Sequence, residues 1–153
     1  VLARRNAGYF GFDIARDIEL TPDGRGYTVL DGYGALHVAG TAPRFELGYW
    51  PGWDIARAFA YSPSGQGAYL LDGFGGVHTR GDAVPRRTGY WPGWDMARDL
   101  VVAPDNAGYA VLDGFGGVHR SGSAPRPGTN WAWWGYDHAG GLALVRGGYV
   151  VAS

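Results

Sequence analysis

The chain repeats one unit of 41 residues three times and then begins it a fourth time. Equivalent residues of successive units are therefore 41 positions apart. Five positions keep this spacing: Asp13, Asp54 and Asp95; Arg16, Arg57 and Arg98; Pro22, Pro63 and Pro104; Asp31, Asp72 and Asp113; His37, His78 and His119. A period of about 20–50 residues is typical of solenoids, propellers and other arrays. The repeat thus restricts the fold to architectures built from similar, stacked units.

Each unit contains short apolar runs separated by turn residues. The first turn carries Pro with Gly or Asn, and the second reads Asp-Gly-aromatic-Gly, so both favour tight turns between antiparallel strands. A Pro then precedes an outer segment such as residues 45–47, as in an edge strand. We therefore predict a meander of up to four strands in each unit. The three inner strands are predicted at 17–20, 27–30 and 35–39; 58–61, 68–71 and 76–80; and 99–102, 109–112 and 117–121.

The second run of each unit is apolar on both of its faces, which indicates a sheet that is covered on both sides. Stacked sheets of this kind form propeller blades. We predict an all-β fold, a small β-propeller of about four blades, in a single domain over 1–153. The predicted units are 9–49, 50–90 and 91–131, with a partial fourth unit, 132–153, completed by residues 1–8. A β-hairpin solenoid is the alternative.

Composition removes several classes of function. The net charge is −1, so the chain lacks the basic surface that nucleic acids and anionic membranes require. No apolar run approaches the roughly 18 residues of a membrane-spanning helix, and there is no Cys. We therefore expect no nucleic-acid partner, no membrane insertion and no disulfide. The only Met is Met96, which suggests a processed chain, and we expect an extracellular or cell-surface location.

The motifs Gly52-Trp53-Asp54 and Gly93-Trp94-Asp95, with the Pro-Gly turns and Tyr-bearing strands, resemble WD-repeat propellers. They are also similar to the tachylectin type of lectin propeller and to secreted bacterial propeller-like repeats. The resemblance covers nearly the whole chain. It implies that an Asp and a His of each blade form a structural hydrogen bond. The solenoid alternative rests on a similarity to choline-binding repeats, which also alternate Gly-Trp with a Tyr-rich hairpin.

An Asp and a His lie six residues apart across the second turn of each complete unit. Such a pair can move a proton or support a metal ion. An active site, however, needs one asymmetric set of residues, whereas these pairs recur at three equivalent positions. We therefore interpret the Asp–His pairs and the repeated Arg as a structural network. Its members are Asp31, His37, Asp72, His78, Asp113, His119, Arg16, Arg57 and Arg98.

A second set of carboxylates lies in the turn before the first strand of each unit. If these side chains surrounded the centre of a ring, they would repel one another unless a cation lay between them. A structural Ca²⁺ or Na⁺ is therefore the one cofactor that we consider, and the default expectation is no cofactor. The four residues are Asp13, Asp54, Asp95 and Asp137.

Aromatic residues cluster on the loop before each first strand, and the cluster near the fourth unit breaks the repeat. Exposed Trp and Tyr at loops suit binding. The predicted ligand-binding residues are Trp50, Trp53, Trp91, Trp94, Trp131, Trp133, Trp134 and Tyr136. We predict a non-enzymatic binding or assembly module, whose partner is another protein or a second copy of the chain. A carbohydrate-binding lectin is the alternative. No phosphate-binding loop or distinctive Ser-His-Asp set supports an enzyme.

Overall fold

The computed structural model describes residues 7–127 and 134–153, and these residues form strands, turns and loops with no helix. The strands lie in four separate antiparallel sheets, ordered β1-β2-β3, β4-β5-β6, β7-β8-β9 and β10-β11. This confirms the all-β prediction of small meanders arranged as blades. The strands are β1 (Ala15–Leu20), β2 (Gly26–Asp31), β3 (Leu36–Gly40), β4 (Ala56–Tyr61), β5 (Ala68–Asp72), β6 (Val77–Arg80), β7 (Ala97–Val102), β8 (Gly108–Asp113), β9 (Val118–Gly122), β10 (Gly141–Val145) and β11 (Gly148–Ala152).

The first turn of each complete unit forms as its residues predict. In the first unit the amide of Gly24 donates to the carbonyl of Thr21 at 2.8 Å, and Gly24 has a φ of 67°. In the third unit the equivalent position is Asn106, with a φ of 57°. Because Gly and Asn tolerate this left-handed conformation, the turn can reverse the chain between the first and second strands.

Successive sheets pack face to face through the apolar residues of their second strands. Leu30 of the first sheet packs with Phe59 and Leu70 of the second. On its other face the second sheet packs Leu71 with the third sheet. All four residues are at most 2% exposed. The prediction that the second strand is covered on both faces is therefore confirmed for β5.

The first strands β1, β4, β7 and β10 follow one another around the middle of the molecule. Together they line a cavity of about 410 Å³, which we call the central cavity. The sheets radiate from it, so the loop that precedes each first strand lies at the same end of its sheet. Equivalent loops of different units therefore share one face of the molecule.

The structure corrects two details of the predicted blades. Residues 45–47 are not a strand; Phe45 and Leu47 pack, half-buried, against the core between the first and second sheets. The seam between the fourth and first sheets is also less closed than the others. Ile18 of β1 is 61% exposed, whereas its equivalents Phe59 and Leu100 are 2% and 4% exposed. Of residues 1–8, which are predicted to complete the fourth unit, residues 1–6 lie outside the described part of the chain.

Over the described residues, no helix has the length and apolar character needed to cross a membrane.

Candidate binding face

The loop before each first strand carries aromatic side chains in two layers. The inner layer packs against the His of the third strand in edge-to-face contacts. Ring centroids are 4.6 Å apart for Phe10 and His37, 5.2 Å for Trp50 and His78, and 4.8 Å for Trp91 and His119. These inner rings are half-buried. Trp50 and Trp91, both predicted to bind ligand, thus each pack one ring against a His of the protein itself and stay partly accessible.

The outer layer faces solvent. Trp53 and Trp94 are 50% and 57% exposed, and Tyr49 and Tyr90 are 63% and 62% exposed. One edge-to-face contact supports each Trp ring, with centroids 5.6 Å apart for Trp53 and Phe74. The first and fourth units contribute further exposed aromatics at the same loop. We call this surface the aromatic face; its described members are Tyr9, Phe12, Tyr49, Trp53, Tyr90, Trp94 and Tyr136.

A tight turn separates the two layers. The amide of Trp53 donates to the carbonyl of Trp50 at 3.0 Å across Pro51-Gly52, and Gly52 has a φ of 80°. Pro followed by a Gly of positive φ is the sequence of a type II turn. The amide of Trp50 also donates to the carbonyl of Tyr33 at 2.7 Å, which anchors the turn to the first sheet. One Trp therefore points into the protein and the next points away from it.

Two of the predicted ligand-binding residues, Trp131 and Trp133, lie outside the described residues. Trp134 is half-buried, and its amide donates to the carbonyl of Phe115 at 3.1 Å, as the amides of Trp50 and Trp91 do in their units. Tyr136 is exposed and belongs to the aromatic face. The backbone hydrogen bond of the inner aromatic residue and the exposure of the outer aromatic residue thus recur in the fourth unit.

Ion pairs between successive units lie directly behind the aromatic face. Nε of Arg57 donates to Oδ1 of Asp95 in the next unit at 3.1 Å, and its Nη1 donates to Oδ1 of Asp54 in its own unit at 3.1 Å. Arg16 makes the same bridge between Asp13 and Asp54. The hydrogen bonds from Arg16 are the largest cause of a lowered pKa of the Asp54 carboxyl.

These pairs bear on the proposed central cation. Arg98 likewise bridges Asp95 and Asp137, so each of the four carboxylates has a guanidinium partner. Three guanidinium groups thus offset most, but not all, of the charge of these four carboxylates, and a central cation stays a prediction. No group of three or more potential metal ligands occurs in 7–127 or 134–153.

The Asp and His of each complete unit are hydrogen bonded across the second turn. Oδ2 of Asp72 lies 2.9 Å from Nε2 of His78, and its Oδ1 accepts from the amides of Phe74 and Gly76, both at 2.9 Å. The Asp31–His37 and Asp113–His119 pairs have the same arrangement, at 2.9 and 2.7 Å. Each carboxylate therefore holds a turn together while it orients a ring that supports the inner aromatic layer.

Three carboxylates that sequence reasoning missed line the central cavity: Asp17, Glu19 and Asp99. Oδ2 of Asp17 accepts from the amide of Phe59 at 2.7 Å, and Oδ2 of Asp99 accepts from the amide of Leu142 at 2.6 Å. Each Asp thus joins its own first strand to that of the next sheet. The equivalent positions in the second and fourth units are Ala58 and Gly141, so a search for conserved spacing passes over this site.

The central cavity raises the pKa of all three acids. Burial is the largest cause, and it raises the pKa of Glu19 to about 7 and that of Asp99 to about 6. Repulsion from Asp17 and Asp99 adds to the effect on Glu19. The pKa of Asp17 is also raised by burial, although the hydrogen bonds that it accepts from the amides of Phe59 and Ile18 oppose this rise. The sequence does contain a sign of this acidic cavity, because the three acids interrupt the apolar runs of the first strands.

The site geometry thus consists of a repeated aromatic face over a hydrogen-bonded scaffold. A comparison of the chain with protein-family models finds no matching family, and a comparison with curated proteins finds no match.

Proposed function

We propose that this chain is a non-enzymatic binding or assembly module that engages a repetitive protein partner through its aromatic face. The observation that carries this proposal is the recurrence of an exposed Tyr and Trp at the same turn of successive units. Trp53 and Trp94 occupy equivalent positions behind identical Pro-Gly turns. Four related loops on one face suit a partner that offers its own binding groups at intervals.

The chemistry of the face supports protein binding. Trp, Tyr and Arg are the residues most often found at the energetic centres of protein interfaces. Here exposed Trp and Tyr lie beside Arg–Asp pairs that fix the underlying loops. The rings are held by packing and by a turn, so that little side-chain freedom is lost on binding. Because the units are covalently linked, several weak contacts add their effects through avidity.

Carbohydrate is the second candidate partner. Aromatic rings offer flat apolar surfaces on which the CH groups of a sugar ring can stack. The observation that favours a glycan is the regular recurrence of an exposed Trp ring at equivalent turns. A polysaccharide would meet equivalent Trp rings in the second and third units.

The recurrence of the Asp–His pairs supports the non-enzymatic part of the proposal. Each carboxylate already accepts two turn amides and faces one imidazole, and the three pairs are geometrically alike. A catalytic set would distinguish one of them from the others. The expected extracellular or surface location stays a prediction.

The test compares the wild-type chain with the double variant Trp53→Ser/Trp94→Ser. Labelled protein is screened on a glycan array, and self-association is followed by light scattering. A photo-cross-linking residue at position 12, in place of the exposed Phe12, leaves both Trp residues intact and captures protein partners, whose binding is then measured with purified material. Val150→Ser is the matched control, because Val150 is an exposed apolar residue away from the face.

The proposal is supported if wild type binds a purified protein, or a second copy of the chain, and if the double variant loses this binding while Val150→Ser keeps it. Binding only to a glycan, with the same dependence on the two Trp residues, would favour the second candidate. If the double variant and wild type bind every tested glycan and protein equally, the aromatic face is not a binding site.

A further inference from the structure

A groove of about 570 Å³ lies beside the seam between the first and second sheets, and of its lining residues only Tyr49 belongs to the aromatic face. Its floor contains Leu36 at the start of β3 together with Phe45 and Leu47 of the segment that follows. Tyr49 and Arg80 also line it. Its volume falls within the range of about 300–1,000 Å³ that small-molecule sites occupy.

The apolar floor of the groove is specific to this seam because the repeat fails there. At the next seam the residues equivalent to Leu36, Phe45 and Leu47 are Val77, Arg86 and Thr88. Two of the three apolar floor residues are therefore polar in the neighbouring unit.

The cationic residue of the groove is equally specific to it. The position equivalent to Arg80 is Ser121, since Arg80 pairs with Ala68 across its sheet and Ser121 pairs with Tyr109. The scaffold of the fold therefore does not require this combination of apolar floor and guanidinium, because the third unit forms the same sheet without it.

Arg80 is held in place without being neutralised. Its Nε donates to the backbone carbonyl of Glu46 at 2.8 Å. Among the described residues, no carboxylate forms an ion pair with Arg80. A guanidinium fixed through Nε keeps its two Nη groups available, and these form the parallel hydrogen bonds that a carboxylate accepts.

We propose that this groove binds a small organic acid with an apolar body. The hydrocarbon or aromatic part of the acid packs on the floor of Leu36, Phe45 and Leu47 and against the ring of Tyr49. Its carboxylate pairs with the Nη groups of Arg80. The one acidic residue that lines the groove, Glu46, lies near the incoming charge and weakens binding. This site takes a small molecule, whereas the aromatic face is proposed to take a polymer, and Tyr49 contributes to both surfaces.

The test uses 3-phenylpropanoate as the probe and follows backbone amide shifts by two-dimensional NMR. We expect saturable shifts at the floor residues with a Kd in the millimolar range or below. The uncharged analogue 3-phenylpropanamide should bind at least 10-fold more weakly to the same wild-type protein. Because this comparison needs no substitution, it does not depend on the folding of a variant.

Three variants and a control locate the site. Arg80→Ser copies the natural residue of the third unit and should weaken binding at least 10-fold. Tyr49→Ala should weaken it by a smaller factor, and Glu46→Gln should strengthen it. Tyr90→Ala is the control, because Tyr90 is the equivalent Tyr of the next unit and does not line the groove, and it should leave binding unchanged.

Equal affinities for the acid and the amide would overturn the proposal. So would an absence of shifts at the floor residues with 10 mM probe, or unchanged binding by a folded Arg80→Ser protein.

Discussion

Glu19 should make the protein less stable as the pH rises through neutrality. Its carboxyl lines the central cavity, opposite Asp99 and two residues from Asp17 on the same strand. The phenol of Tyr61, in the neighbouring first strand, also interacts with it. Among residues 7–127 and 134–153, no Arg or His lines this cavity to offset the charge. Burial, followed by repulsion from the two Asp carboxylates, raises the pKa of Glu19 from 4.5 to about 7.

The sign of the effect follows from the raised pKa. The folded protein holds the Glu19 proton more tightly than the unfolded chain, so the contribution to stability is complete below about pH 4.5. It is lost as the pH rises through about 7. A difference of about 2.5 pKa units corresponds to about 3.4 kcal/mol at most. Because the carboxyl is only partly buried and water screens it, we expect about 1–2 kcal/mol.

The assay is urea denaturation of wild type and Glu19→Gln between pH 4.5 and pH 8.5. Gln keeps the shape of the side chain and removes its ionisation. The two proteins should have similar unfolding free energies at pH 4.5, and the variant should be more stable by about 1–2 kcal/mol at pH 8.5. Glu46→Gln is the matched control, since Glu46 lies outside the cavity. If Glu19→Gln and wild type lose the same free energy over this range, the reasoning is refuted.

Three further predictions concern the scaffold. Asp72→Ala removes the acceptor of two turn amides and the partner of His78, and urea denaturation should show an unfolding free energy lower by about 2–4 kcal/mol. A decrease below about 0.5 kcal/mol would contradict a stabilising role of these hydrogen bonds. Trp50→Ala should lower the unfolding free energy by about 2–3 kcal/mol and Trp53→Ala by less than about 1; equal losses would mean that the two aromatic layers do not differ. Ala58→Asp adds a carboxylate beside the amide of Phe59, which already donates to Asp17, so it should lower the unfolding free energy by about 1–3 kcal/mol at pH 8 and by less at pH 4.5. A loss of stability that does not depend on pH would show that repulsion between carboxylates is not the cause.

The repeat predicts the fold well because each sheet is local in sequence. The predicted first strand at 58–61 lies within β4 (Ala56–Tyr61), and the predicted second strand at 68–71 lies within β5 (Ala68–Asp72). Their turns are specified by neighbouring residues. The Asp72–His78 hydrogen bond is of the same kind, since the two residues flank a single hairpin turn.

Contacts between sheets are harder to predict from the sequence. Asp17 accepts from an amide 42 positions away, and its role appears only when β1 and β4 lie side by side. The sequence also does not show that Trp50 packs against the protein while Trp53 faces solvent, because both belong to one aromatic cluster. This difference depends on the direction in which the Pro51-Gly52 turn sends each ring.

The central claim is that the exposed Trp rings of successive units act together in binding. The direct measurement is the Kd for a partner surface identified by the screens above, determined for wild type, Trp53→Ser, Trp94→Ser and the double variant. Avidity predicts that each single substitution weakens binding by about 10-fold and that the double variant loses more than about 100-fold. A double variant that binds as tightly as wild type, while Val150→Ser also does so, would contradict the claim.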